Sequence, residues 1–121
     1  ILVTCSGTIG HVALVPKHWD GWAMTHDIIR CISPNNMVGY AYIWLSSEYA
    51  NILLQAKAYG SVVKHIEKEH FSEIPFPLLN NQEVQRQIND LALGANAKRY
   101  EAYKLEQEAL RVMNEEVIFA K

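Results

Sequence analysis

Cysteine is scarce in this chain, with two in 121 residues. Neither Cys5 nor Cys31 has a partner at metal-ligand spacing. Their apolar, strand-like surroundings argue for free buried thiols in a reducing compartment rather than a disulfide framework or a zinc site. An excess of charge of one sign is also missing. The formal net charge is −2, and the balance is close to neutral on both sides of Pro75, so no basic block offers the electrostatic footprint that unaided nucleic-acid binding needs. Long apolar runs are absent too. No stretch approaches a membrane-spanning helix, and no basic start with an apolar centre marks a signal peptide, so a soluble, cytoplasmic protein without a membrane partner is expected. Proline ends at Pro77, and beyond Gly60 the one glycine is Gly94.

The catalytic constellations are incomplete. Ser6 lacks the glycine two places before it that a nucleophile elbow requires. His65 and His70 are five apart, about 140° around a helix, whereas zinc-binding pairs share a face at a spacing of four. The turn Ser6-Gly7-Thr8-Ile9-Gly10 has no following Lys-Ser or Lys-Thr to cradle a phosphate. No catalytic residue, metal or other cofactor is expected. The glycines of that turn read as backbone devices.

What the sequence does contain divides at Ile74-Pro75-Phe76-Pro77-Leu78-Leu79. Each proline fixes its own φ and pushes the preceding residue out of the helical region, so this stretch predicts an extended connector. Beyond it, Val84, Ile88, Leu91, Ala95, Lys98, Ala102, Leu105, Ala109, Val112, Glu116 and Phe119 alternate steps of four and three. All are apolar except Lys98 and Glu116. That is a heptad seam, and at 1.5 Å per residue it predicts a rod of roughly 50 Å. A rod so long with so narrow a stripe is expected to need another helix rather than to bury itself on its own front domain, the alanines favouring close contact and Lys98 and Glu116 weakening the seam or setting its register.

Ahead of the connector the pattern is mixed. The apolar run 1–5 predicts a strand, the glycine turn reverses the chain, and 12–15 returns it as a hairpin or a tight strand connection. Pro16-Lys17-His18-Trp19-Asp20-Gly21 is an exposed loop, and 28–32 predicts a third strand carrying Arg30, read as a partner for an acid. Ser33-Pro34-Asn35-Asn36 supplies a helix start, with Val38, Tyr42, Leu45, Tyr49 and Ile52 on one face. Ser47 followed by Glu48 reads as a fresh N-cap that breaks this helix in two. Residues 61–66 predict a further strand, then a polar turn to Phe71. Because the chain opens on strand-like residues, it reads as a segment of a longer one. The fold class expected is α+β, a small mixed domain over 1–79 and a long coiled-coil-forming helix over 80–121.

Several stretches, taken in order, resemble one family. They are the run from Ile1 to Gly10; Thr25-His26-Asp27-Ile28-Ile29-Arg30; Gly39-Tyr40-Ala41-Tyr42 with Leu45-Ser46-Ser47-Glu48-Tyr49; Tyr59-Gly60-Ser61-Val62-Val63 with His65-Ile66; and Ile74-Pro75-Phe76-Pro77-Leu78-Leu79 leading to Gln85 and Ile88. Together they are similar to the second half of a target recognition domain of type I restriction-modification specificity subunits and its passage into the spacer helix. Two departures stand out: the front half of such a domain would precede Ile1, and His11 stands where a more basic or polar residue is expected. The resemblance implies a non-catalytic module that reads half of a split target in double-stranded DNA, with paired spacer helices from another chain or another half of the parent, on which methyltransferase and restriction subunits dock. Their basic surface would supply phosphate attraction that this chain lacks. The resemblance transfers no fixed base-contacting residues. The DNA-binding candidates are Thr8 and His11 at the glycine turn, Lys17, His18 and Trp19 in the exposed loop, and Tyr59, Ser61, Lys64 and His65 after the helical pair. The interface candidates along the helix are Val84, Ile88, Leu91, Ala95, Ala102, Leu105, Ala109 and Val112. The competing reading is a coiled-coil assembly module without DNA binding.

Overall fold

A computed structural model describes residues 1–33 and 35–120 and has an α+β architecture. Strand β1, Leu2–Thr4, lies at the centre of a three-stranded antiparallel sheet between β2, Val12–Ala13, and β3, Ile28–Arg30. Its register sets Val3 opposite Val12 on one side and Ile29 on the other. β-branched residues at these central positions pack well on a pleated surface. The glycine turn makes the hairpin possible because Gly7 and Gly10 adopt φ of 70° and 87°, a region that costs a residue with a Cβ. Both faces of β1 are covered, since Leu2 and Val3 are each buried.

Helix α1, Val38–Leu45, and helix α2, Glu48–Ala56, form the expected broken pair. The Ser47 side chain accepts from the Ala50 backbone N–H at 3.2 Å, and Glu48 stands in the first turn where the helix dipole favours an anion. Leu45 and Leu54 reach under the sheet and join Ile1, Val3, Cys5, Ile9, Leu14 and Ile66 in one core. The start of α1 differs from the sequence expectation. Pro34 lies outside the described residues, the N-cap residue is Met37, and no local side chain caps the helix.

Two further corrections fall on residues 61–71. The stretch 61–66 is not a strand: its pairing is limited to single antiparallel bridges from His65 to Ser6 and to Tyr59. Gly60, at φ 106°, throws the chain outward, so Val62 and Val63 lie on the surface instead of in the core. The polar turn contains a short helix, α3, Lys68–Ser72, opened by a reciprocal capping box between Glu67 and His70. Glutamate and histidine are unusual in those two positions, and the Ser/Thr to Glu/Gln spacing that signals such a box is missing. Arg30 is exposed and forms no ion pair among the described residues.

The connector, 75–79, belongs to neither helix nor strand. It is tied to α1 where the Tyr40 hydroxyl donates to the Pro77 carbonyl at 2.9 Å and the Tyr40 ring meets Phe76 edge to face. Helix α4, Gln82–Met113, follows without interruption and ends in a π turn, Asn114–Ile118. Asn81 caps it, its side chain accepting from the Glu83 and Val84 N–H groups.

Contrary to the expectation that the rod would not lie on its own front domain, the first half of α4 packs along α1. The face turned to the front domain carries Asn89, Ala92, Asn96, Tyr100 and Tyr103, which are buried or half-buried, Asn89 meeting α1 and Asn96 and the tyrosines meeting the segment 15–18. At about 100° per residue these share one face, centred about a third of a turn from the heptad seam. The seam remains largely outside: Leu91 is 68% and Leu105 73% exposed, and Val84, Ala95, Ala102, Ala109 and Val112 are exposed as well. Ile88, half-buried, sits at the border. Counting apolar residues found the seam and missed the second stripe, because that stripe is built from asparagine, alanine and tyrosine.

Candidate nucleic-acid interface

The sequence candidates form two groups in space. In the first, the glycine turn and the loop 59–65 meet. The Gly7 N–H donates to the Lys64 carbonyl at 2.9 Å, and Ser6 pairs with His65. Tyr59 and His65 exchange backbone hydrogen bonds of 3.0 and 2.8 Å, which close residues 60–64 into a loop. Thr8, His11, Tyr59, Ser61 and Lys64 are exposed on this side, and His65 is half-buried. A Cβ on Gly60 would overlap the Val63 carbonyl, so the tight loop requires glycine there.

Electrostatics at this edge come from few groups. The Tyr59 hydroxyl donates to Glu67 Oε1 at 2.7 Å. That hydrogen bond, then burial and the carboxylate charge, pushes the Tyr59 phenol above its ordinary value, so Tyr59 keeps its proton and serves as a donor. Glu67 also accepts from the backbone of the short helix behind it. Lys64 stands clear of acidic partners among the described residues. Lys57, by contrast, pairs with Glu73, whose carboxyl is held below its ordinary value by that hydrogen bond first and by the lysine charge second.

The second group, Lys17, His18 and Trp19, stands on a 3-10 turn that rests against the middle of α4, and Trp19 lines one small pocket with His11 of the first group. The His18 ring stacks on Tyr103 at 3.9 Å between centroids with a 6° tilt, and stands 5.9 Å from Tyr100. Trp19 meets His18 edge on and stacks with Trp22. Asn96 donates to the Val15 carbonyl at 3.1 Å, fixing the same turn from the helix side. With both its neighbours on α4 and its Nδ1 atom buried, the His18 ring is engaged in holding the turn on the helix. His18→Ala is therefore expected to lower unfolding stability by about 1–2 kcal/mol, mostly lost aromatic contact, measured by urea denaturation. An unchanged midpoint would return His18 to the list of free surface residues.

Sequence reasoning missed three residues that the fold makes prominent. Val62 falls within the stretch expected as a strand and is 94% exposed. Asn89 is the buried polar residue among those described, and its Oδ1 accepts from the Gly39 and Tyr40 N–H groups at 2.9 and 3.2 Å. Tyr103 holds His18. A signal existed for the last two, since Asn89, Ala92, Asn96, Tyr100 and Tyr103 follow helical spacing once polar residues are counted.

Chemistry is poorly supported by these surroundings. Cys5 is buried, and burial first, then the charge of Asp27, pushes its thiol up, the reverse of an activated nucleophile. Among the described residues no group of three His, Cys, Asp or Glu side chains stands close enough to hold a metal. No helix among them is long and apolar enough to cross a membrane. Comparison with curated proteins and with solved structures gave no match. The family model described as the type I restriction modification DNA specificity domain, however, matches residues 1–91, a span running from the first strand through the connector and into α4. With the recognition-like loops, the connector and the start of the long helix all inside that match, the chain belongs to the family of type I restriction modification DNA specificity domains.

Proposed function

We propose that this chain reads one half of a bipartite DNA target within a type I restriction-modification complex, leaving methylation and cleavage to separate subunits that dock on the assembly. The observation that carries this reading is the meeting of the glycine turn and the loop 59–65 on one exposed edge, with Lys64 free of acidic partners among the described residues. Thr8, His11, Tyr59, Ser61 and His65 are the side chains within this edge that could meet bases or phosphates. Lys17 and Trp19 form a flank that adjoins it through the pocket shared by His11 and Trp19.

Residues 1–79 serve as part of a recognition domain and 80–121 as the spacer. The second helix of the spacer lies along the seam of Val84, Ile88, Leu91, Ala95, Ala102, Leu105, Ala109 and Val112. Support comes from a groove of about 380 Å³ between α1 and α4, lined by Tyr42, Ile43, Ile88, Leu91, Ala92 and Ala95 together with Arg99. An added helix would close this groove and touch both α1 and α4. The near-neutral charge is consistent with a module that borrows phosphate attraction from its cytoplasmic partner subunits.

Lys64→Ala in the full-length protein tests the reading. A phosphate contact adds attraction without sequence information, so the substitution should weaken binding to all duplexes alike and flatten the log affinity against log salt slope by about 0.9. Titrations at two salt concentrations measure both effects. Identical slopes for the variant and the unaltered protein would remove this edge from the DNA interface, and self-association without any DNA affinity would favour the coiled-coil assembly module instead.

A further inference from the structure

The loop between Tyr59 and His65 is a short tip closed at its base by one antiparallel bridge and held from three directions. Backbone hydrogen bonds join Tyr59 to His65, the Gly7 N–H grips the Lys64 carbonyl, and Gly60 turns at φ 106°. At its far end Val62 is 94% exposed, with Ser61 before it and Val63 and Lys64 after it, all exposed. Such a residue adds almost nothing to the core. Valine is stiff at χ1, and this loop is already closed, so little conformational entropy remains to be lost if the tip meets a partner.

DNA is the partner that the family membership supplies, and the shape of the tip selects the groove. The major groove, about 12 Å wide, has room for two chain segments side by side, as they stand at the Tyr59–His65 bridge, whereas the minor groove, about 6 Å wide, does not. In the major groove the one apolar feature on a base edge is the thymine C5-methyl, which stands beside the O4 acceptor. Consecutive residues of the tip offer a hydroxyl, an isopropyl group and, two places on, an ammonium. These match a thymine O4, its methyl and a neighbouring phosphate.

We propose that Val62 is a specificity-determining residue that contacts the C5-methyl of a thymine in the major groove. The proposal rests on the DNA-reading function above and adds a base and an atom to it.

The test uses the full-length protein and duplexes enriched by it from a randomised pool, with each thymine replaced in turn by deoxyuridine, which removes only the methyl group. At one position the unaltered protein should lose about threefold to tenfold in affinity, the range expected for one buried methyl. Val62→Ala should bind the thymine and deoxyuridine duplexes equally at that position, and Val62→Thr, which keeps the branched shape, should retain part of the discrimination. Circular dichroism should report unchanged helix content for both variants, since the side chain is exposed. Sequence-selective binding that ignores every deoxyuridine exchange, or full discrimination by Val62→Ala, overturns the Val62 assignment and leaves DNA reading standing. Failure to enrich any sequence overturns both.

Discussion

Asn89→Ala is expected to destabilise the folded chain by about 2–4 kcal/mol, because it strands two buried backbone donors at once. The Asn89 Oδ1 atom on α4 accepts from the Gly39 and Tyr40 N–H groups in the first turn of α1. Those are orphan donors that a helix start leaves unpaired, and Met37 at the N-cap offers no side-chain acceptor. The long helix thus caps the short one across the interface. Gly39 belongs to the same joint, since a Cβ there would overlap the Asn89 carbonyl oxygen. Gly39→Ala must push two backbones apart and should be at least as damaging. Urea unfolding of both variants, followed by far-ultraviolet circular dichroism, measures the effect. A loss below about 0.5 kcal/mol for Asn89→Ala, the ordinary range for surface changes, would show that α4 does not depend on this clasp.

Leu105→Asp should show a large effect of a different kind. In the chain alone Leu105 is 73% exposed, so the substitution should leave its unfolding free energy within about 0.5 kcal/mol. Once a second helix covers the seam, the same change buries an unpaired carboxylate, a cost of several kcal/mol. Sedimentation velocity of the full-length assembly should therefore register loss of helix pairing, while chemical unfolding of the separate chain stays unchanged. The heptad interface fails as an explanation if pairing persists in the variant. A large loss of stability in the chain by itself would instead mean that α4 folds onto its own domain through Leu105.

These two expectations separate the two faces of one helix, and they mark where the sequence was legible. Heptad spacing picked out an apolar stripe that the chain alone leaves largely exposed, because apolar residues at alternating steps of three and four share one helical face. The face holding the front domain escaped because its contacts are a buried asparagine, an alanine and two tyrosines, and hydrophobic counting passes over them. Residues 61–66 misled for the opposite reason. Val62 and Val63 have strand-forming side chains, but Gly60 and the backbone clamp from Gly7 decide that the chain turns outward.

The candidate site was legible to a similar degree. The glycine turn and the loop 59–65 could be singled out by composition, whereas their meeting could not be read from residues more than fifty positions apart. Nor could the anchoring of Lys17 and His18, since only the fold lays that turn on Tyr100 and Tyr103.

By itself the sequence determined the α+β class, the broken helix at Ser47, the proline connector that interrupts regular structure at 75–79 and the uninterrupted helix after Asn81. Each of these depends on the covalent limits of proline, on side-chain capping or on periodicity within one segment, all of which are local. Tertiary structure alone decided which face of α4 carries the front domain, which candidate residues share an edge, and that Asn89 caps a helix fifty residues away. Those outcomes depend on pairing donors and acceptors across the core, where burial makes an unsatisfied N–H costly and so selects the one arrangement that satisfies it.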